Sequence, residues 1–583
     1  MKNSKKSLLT ILFAGSSLTA SLMAQDLQTA LKDIEAERYN RAGQTLTQLA
    51  SSSPSADNQF YLGYYYLRSG QVDQAKAAFE KGLAADSKNQ LNNVGLAGVA
   101  LMKKDRATAK SLIDNAVNAT KSKNMDVLEK AGEMYVLSDQ TNDPAEALRL
   151  LDLAAKLDKK NQNTDVKMAM GDAYFLKNDG GNAISRYEDA LSVSPNLAEA
   201  NYKIGRLYLR GKNYTKAQEY FKLAIQNDPE FAPTYLAYAD ALANSRLYKA
   251  AATNYELYVQ KSGTTDPEKL LDVARYKFLA GDYQGATAYL DQLKGKVNNP
   301  IIDRMYGWAY TALGKNKEAV ESLNRFISSA PNKVIYDDYK YLGRAEGQLG
   351  TPEGDSLSIV NLEKAAPQDT TDNLYREIAK KYYEGKRYDK AADYYAKAIA
   401  NDKKPLNNDY LYAGLSNYQY AFRAGRDYAQ TDTAQARKLK NQYFLRADSA
   451  FAQMAQKVEG AGETYPLAYY YRAQSNYYAN PSYVSLANGS AVPYYEKFVE
   501  QATAETDPAK KESYKKNLIS TYKALASFSL AKKDDAKAKE YFNKVLELDP
   551  NDADVKKALE APKPAPAAKS GVKPAPKATA RKA

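Results

Sequence analysis

The chain has 583 residues, with 82 Lys and Arg against 69 Asp and Glu, a formal net charge of +13, and neither Cys nor His. Without cysteine there are no disulfides, thiolate nucleophiles or cysteine-bound metal sites, and without histidine there are no Ser-His-Asp triads or imidazole ligands. We therefore predict a binding protein with no enzymatic activity, no cofactor and no metal site. An enzyme that uses carboxylates, lysine or tyrosine ranks behind the binding functions.

The positive charge lies mainly at the two ends of the chain. Residues 1–24 contain three lysines and residues 561–583 contain six basic residues, and neither segment contains an acid. The body between them therefore carries only about +4. Because phosphate neutralisation needs Lys and Arg clustered on a folded surface, we predict no nucleic-acid partner.

The first 24 residues have the order of a secretory signal peptide. Lysines come first, an apolar run follows from Leu8 to Ala14, and the small residue Ala24 marks the expected cleavage site. The run is short for a membrane span, and no cysteine is present for lipid attachment. We predict export to the periplasm or envelope, with no transmembrane span after signal removal. A retained N-terminal anchor is the alternative.

A repeat of 34 residues becomes visible when the segment from Met170 to Leu197 is shifted along the chain. Six positions match at this offset: Gly171 with Gly205, Tyr174 with Tyr208, Ala183 with Ala217, Tyr187 with Phe221, Ala190 with Ala224, and Pro195 with Pro229. The pattern resembles the tetratricopeptide repeat (TPR). This resemblance implies an all-α fold, a right-handed α-solenoid of stacked helix-turn-helix hairpins. Small residues such as Gly205 and Ala217 would let the paired helices approach closely.

The alanine of the second helix recurs along the chain and predicts fourteen hairpins between Gln25 and Glu560. Its positions are Ala42, Ala75, Ala109, Ala147, Ala183, Ala217, Ala251, Ala286, Ala319, Ser358 (in place of alanine), Ala391, Ala447, Ala491 and Ala538. Longer steps indicate insertions. One contains Ala421 to Gln442, which lengthens helices or forms an excursion, and another contains the polar loop from Tyr478 to Val492.

These features predict five segments: the signal peptide 1–24, an N-terminal array 25–262, a central array 263–404, a C-terminal array with insertions and a capping helix 405–560, and a disordered Lys/Pro/Ala-rich tail 561–583. The tail either contacts an anionic surface or is a solvated extension.

In TPR proteins the first helices line a concave groove that holds a peptide or helix of the partner. By resemblance, the groove would display Tyr64, Arg68, Asp172, Arg206, Arg210, Asp240, Asn244, Arg304, Trp308, Arg376, Lys380 and Tyr383. Arg304 and Trp308 are four residues apart and share a helix face, so Trp308 is either an interface hot spot or a packing residue between repeats. The Lys and Asn clamp that the family uses for peptide C-termini is not reproduced.

The resemblance favours an exported, non-enzymatic scaffold or adaptor for protein–protein interactions in the bacterial cell envelope, with envelope proteins bound in the groove. The alternative is a glycan- or peptidoglycan-binding protein that stacks surface tyrosines, such as Tyr469 to Tyr471, on sugar rings. The chain has 49 tyrosines, and most of the clustered ones are expected to fill the core because they lie at the aromatic positions of the repeat.

Overall fold

A computed structural model describes residues 25–137, 142–427, 432–479 and 488–560. The predicted signal peptide, the basic tail and most of the loop between Tyr478 and Val492 lie outside the described residues. The regular structure of these four ranges is entirely helical. The chain forms two compact units, unit 1 from Met1 to Asn332 and unit 2 from Lys333 to Ala583. This division falls inside the segment 263–404.

Unit 1 is an α-solenoid of consecutive hairpins, and from α3 onward each odd-numbered helix packs chiefly on the helix that follows it. Its helices are α1 (25–35), α2 (Tyr39–Ser52), α3 (Ala56–Arg68), α4 (Val72–Ala85), α5 (Gln90–Met102), α6 (Arg106–Ala119), α7 (Met125–Met134), α8 (Pro144–Leu157), α9 (Thr164–Leu176), α10 (Gly180–Val193), α11 (Ala198–Arg210), α12 (Tyr214–Asn227), α13 (Ala232–Asn244), α14 (Tyr248–Ser262), α15 (Pro267–Leu279), α16 (Tyr283–Leu293), α17 (Ile301–Ala312) and α18 (Asn316–Ser329).

Unit 2 continues the same helical pattern with longer elements. Its helices are α19 (Tyr336–Glu346), α20 (Pro352–Ala365), α21 (Leu374–Glu384), α22 (Tyr388–Ala400), α23 (Asn407–Asp427), α24 (Thr433–Gly460), α25 (Pro466–Ala479), α26 (Val492–Ala504), α27 (Pro508–Ala531), α28 (Asp535–Leu548) and α29 (Ala553–Glu560). The insertion between 421 and 442 lengthens α23 and α24, and α29 packs on α28 as a terminal helix. The predicted all-α solenoid is confirmed.

The glycine of the first helix makes room for the aromatic ring of the second. A Cβ atom on Gly205 would lie 2.6 Å from the ring of Phe221, and one on Gly171 would lie 2.3 Å from the ring of Tyr187. Both rings are fully buried, as is Ala217 on the same helix as Phe221. The repeated residues are therefore core residues, and the conserved spacing within the chain is the spacing of core contacts.

The turn inside each hairpin is built from a left-handed residue followed by a helix cap. Asn178 has φ 61° and Lys212 has φ 59°. The side chains of the next residues, Asp179 and Asn213, accept hydrogen bonds from backbone N–H groups of the second helix. Each such cap stabilises its helix by about 1 kcal/mol.

Serine replaces alanine in the hairpin of α19 and α20 without leaving a buried polar group unpaired. Ser358 is fully buried, and its Oγ donates a hydrogen bond of 2.5 Å to the carbonyl oxygen of Gly343. A short side chain with an internal partner fits where alanine is expected, because its hydroxyl is not left desolvated.

The first hairpin of unit 1 contacts hairpins that follow about 200 residues later. Arg38 Nη1 donates to the carbonyl oxygen of Glu230 at 2.6 Å, and the Tyr258 hydroxyl donates to Glu37 Oε2 at 3.0 Å. The apolar part of this closing contact consists of Ala36, Ala198 and Phe231. The hairpins of α1 to α14 therefore complete one turn of the solenoid, a closure that the repeat spacing does not predict.

Candidate partner-binding site

A polar cavity of about 270 Å³ lies on the concave side of this turn, between residues of α1, α3, α7, α9 and α11. Three residues predicted for the groove, Arg68, Asp172 and Arg206, line it. Its charged side chains are the carboxylates Glu35, Glu37, Glu133, Asp172 and Glu199 and the cations Arg68, Lys203 and Arg206. The structure thus brings several predicted groove residues into one enclosed site.

One side of the cavity is held by a network around Glu133. The buried Tyr64 hydroxyl donates to Glu133, Lys130 Nζ donates to Glu133 at 2.8 Å, and Arg68 Nη1 donates to Glu35 at 3.0 Å. Burial alone would raise the pKa of Glu133, but Lys130 and Arg68 hold it below its ordinary value. Tyr64 and Arg68 are therefore engaged by side chains of unit 1 itself.

The other side is held by Lys203. Its Nζ lies 2.6 Å from Asp172 Oδ2 and 2.8 Å from Glu199 Oε1, and the Tyr187 hydroxyl donates to Asp172 at 2.8 Å. Burial raises the pKa of Glu199 to about 7, with Lys203 opposing the rise and the charge of Glu35 adding to it. Asp172 is consequently a bridging residue inside the site.

Arg206 and Arg210 differ from these paired charges. Both are exposed on α11, with guanidinium carbons 5.1 Å and 4.5 Å from the centre of the Phe175 ring, and Arg210 Nη1 donates to the Phe175 carbonyl at 3.1 Å. Within the described ranges, no carboxylate lies at ion-pair distance from either guanidinium. We call Phe175, Arg206 and Arg210 the arginine patch.

The next two predicted residues contact neighbouring helices. Asp240 accepts a hydrogen bond from the Tyr276 hydroxyl at 3.1 Å, and burial raises the pKa of Asp240. Asn244 Nδ2 donates to the Asp240 carbonyl at 2.8 Å. Both side chains thus take part in contacts within unit 1.

Arg304 and Trp308 share a helix face, as their spacing predicts. The Arg304 guanidinium carbon lies 5.6 Å from the Trp308 ring and 4.3 Å from the Phe326 ring. Trp308 is half-buried and packs at 5.9 Å on Phe278 of α15, the first helix of the preceding hairpin. Packing between hairpins accounts for its position, and the hot-spot role stays a prediction.

In unit 2, Arg376 is part of a paired charge cluster. Its Nε donates to Asp409 Oδ1 at 2.6 Å and its Nη2 donates to Asp409 Oδ2 at 2.8 Å and to Asp402 at 2.9 Å. The Asp409 side chain is only 1% exposed. These contacts link α21 to α23, so Arg376 has a structural role whatever else it binds.

Lys380 and Tyr383 lie further along α21. Lys380 is exposed, with Glu384 at 3.7 Å. Tyr383 packs edge-on against Tyr412, with ring centres 5.1 Å apart. Of these two residues, Lys380 is the more accessible to a partner.

The tyrosines proposed for sugar stacking are half-buried and contact unit 2 itself. The Tyr469 hydroxyl donates to Glu459 at 2.9 Å, and Tyr471 stacks on Phe451 at 5.1 Å. Tyr470 and Tyr471 also pack edge to face. Glycan binding through these rings stays a prediction.

Four charged residues of α11 occupy one stripe of the helix, and only part of this stripe was found from the sequence. Glu199, Lys203, Arg206 and Arg210 follow one another at spacings of four, three and four, which places them on one face. Lys203, Glu199 and Phe175 were missed because attention to the residue after Gly205 led only to Arg206 and Arg210. The stripe itself is the signal that would have included the first two.

Comparison with known proteins agrees with the repeat. Tetratricopeptide repeat profiles match residues 168–232, 202–267, 56–89, 519–552 and 305–333. The chain is 21% identical over 315 residues, 52% of its length, to the BBSome complex member BBS4 homolog of Drosophila melanogaster. It is 24% identical over 243 residues, 40% of its length, to the TPR repeat-containing protein YpiA of Bacillus subtilis. It spans 61% and 55% of the lengths of these relatives.

Among solved structures, the C-terminal part of a TPR repeat-containing protein from Cytophaga hutchinsonii matches 50% of this chain and 100% of its own length. The two are 23% identical, with a TM-score of 0.34.

Proposed function

Because the chain is a tetratricopeptide repeat protein, a scaffold for protein–protein interaction, we propose that it is exported and binds an envelope protein on the concave side of unit 1. The observation that carries this proposal is the arginine patch, where two exposed guanidinium groups beside the cavity have no carboxylate partner among the described residues. A charge left unpaired at a concave face is free to pair with a partner.

Binding rather than catalysis follows from the state of the other charges. Arg68, Lys203 and the carboxylates around them neutralise one another through short contacts. Side chains held in such pairs position the helices and are not free to bind or transform a small substrate. The protein is therefore proposed to act as an adaptor without enzymatic activity.

Export rests on the signal-like order of residues 1–24. Fusion of this segment to a reporter that is active only outside the cytoplasm tests it, together with sequencing of the mature N-terminus of the full protein. We expect an active reporter and a mature chain that begins at Gln25. An inactive reporter, or a cytoplasmic protein that keeps residues 1–24, would refute export. A membrane-bound chain that keeps them would favour the retained anchor.

Partner capture is tested by photo-crosslinking in intact cells. A photoreactive phenylalanine at Phe175 should give a discrete crosslinked protein, because this half-buried ring lies between the two arginines. The matched control places the same group at Leu223 on α12, which is 45% exposed on the second helix of its hairpin. Identical products from the two sites, or none from Phe175, would contradict binding at the concave face.

A further inference from the structure

We infer that the arginine patch binds an internal acidic segment of the partner, an extended stretch in which two acidic residues are separated by one residue. This inference rests on the proposed function and names the chemistry of the partner at the same site. It concerns carboxylate side chains within a segment, and it assigns no role to the partner's C-terminus.

The first step is the availability of the two guanidinium groups. Arg206 stacks on Phe175 and on Tyr202, at 5.1 Å and 5.7 Å from the ring centres, and Arg210 stacks on Phe175 at 4.5 Å. Ring contacts hold the planar groups in place but leave most of their N–H donors unused. An arginine ordered in this way forms bidentate hydrogen bonds with a carboxylate at a reduced cost in side-chain entropy.

The second step is the spacing. Side chains four residues apart on a helix have Cβ atoms about 5–6 Å apart. In an extended segment, side chains two residues apart point to the same side and are separated by about 6.7 Å. Two acids with one residue between them therefore match Arg206 and Arg210, whereas adjacent acids would point to opposite sides.

The third step limits the length of the acidic stretch. The cavity next to Arg206 is lined by five carboxylates and three cations, so its own charge is negative when all of them are ionised. A third or fourth acid entering the cavity would be repelled. The same cavity is also lined by Val136, Leu137, Phe231 and Pro233, which suit an apolar residue next to the acidic pair.

The experiment selects short random peptides on the immobilised full chain. Three proteins are compared: the wild type, R206A/R210A, and K222A/K249A. The last removes the same charge from exposed lysines on α12 and α14. We expect the wild type and the lysine control to enrich peptides with two acids separated by one residue, and R206A/R210A to lose this enrichment. Circular dichroism checks that all three proteins are folded.

The enriched peptide is then measured by fluorescence anisotropy beside an analogue in which Gln replaces both acids. We expect the analogue and R206A/R210A each to weaken binding at least about tenfold, and R206K/R210K to weaken it as well, since lysine lacks the bidentate geometry. Absence of enrichment, enrichment without paired acids, or equal binding by R206A/R210A would overturn the inference.

Vesicles that contain anionic lipid provide the competing outcome. If the wild type binds these vesicles through Arg206 and Arg210 but selects no acidic peptide, the patch recognises a membrane surface and the inference is wrong. A crosslinked partner at Phe175 together with peptides that lack acids would leave the proposed function standing and overturn this inference alone.

Discussion

Replacement of Arg376 by alanine should destabilise unit 2 because it leaves a buried carboxylate without its cation. Asp409 is 1% exposed and receives two hydrogen bonds from Arg376, which is itself 27% exposed. The pKa of Arg376 is raised, first through its hydrogen bonds to Asp409. Removing one partner of a buried pair costs about 3–5 kcal/mol, and the partial exposure of Arg376 lowers our expectation to about 2–4 kcal/mol.

Urea unfolding of the full chain, followed by far-UV circular dichroism, measures this loss. The matched control is R446A in the same unit, because Arg446 is 47% exposed and lies 4.0 Å from an exposed Asp393. An exposed pair of this kind contributes about 0–1 kcal/mol. The sole tryptophan, Trp308, lies in unit 1, so its fluorescence shows whether the effect is confined to unit 2.

The double variant R376A/D409N completes the experiment. Asn cannot be left as an uncompensated charge, and its side-chain oxygen can still accept the hydrogen bond that Asp409 takes from the backbone N–H of Leu406. We therefore expect the double variant to regain part of the lost stability. If R376A is as stable as R446A, the pair does not stabilise the junction of α21 and α23, and Arg376 is available to a partner after all.

Three further predictions concern unit 1. The pKa of Glu199 is raised to about 7 from 4.5, so its contribution to stability is present below about pH 4.5 and lost by about pH 7. E199Q should therefore stabilise the protein by up to about 3 kcal/mol at pH 8 but little at pH 4.5, and equal urea midpoints at both pH values would contradict this. A36E should break the closing contact, because Ala36 is 1% exposed beside Phe231. Hydrogen exchange should rise at residues 36–38 and 230–233, and A250E on the exposed face of α14 should leave it unchanged. F221A should cost about 3–5 kcal/mol because the fully buried ring fills the space above Gly205, whereas L223A on the same helix should cost under about 1 kcal/mol in the same urea assay.

The fold was predictable because the core contacts recur at a nearly fixed interval. Gly205 and Phe221 occupy one contact, and the equivalent pair Gly171 and Tyr187 lies 34 residues earlier. The same interval located Ser358 at an alanine position, where its hydroxyl proved to be paired within the hairpin. Closure of the first turn was not predictable, because Arg38 and Glu230 belong to hairpins whose separation depends on the small rotation between successive repeats.

The site was predictable only as a set of positions. The repeat indicates which residues of a first helix face the groove, but the neighbouring first helices decide which charges remain free. Arg68 pairs with Glu35, 33 residues away, and Arg344 pairs with Glu377 at the same separation. Charges about one repeat apart therefore neutralise one another across adjacent hairpins, a pattern that can be sought in the sequence.

This rule alone does not identify the arginine patch, because the charges one repeat away from Arg206 are acids. Asp172 lies 34 residues before it and Asp240 lies 34 residues after it. Asp172 is taken by Lys203, at 2.6 Å, and Asp240 accepts its hydrogen bond from Tyr276. Arg206 is left unpaired because other residues bind both acids, and that competition is decided by side-chain geometry, which the one-repeat spacing does not contain.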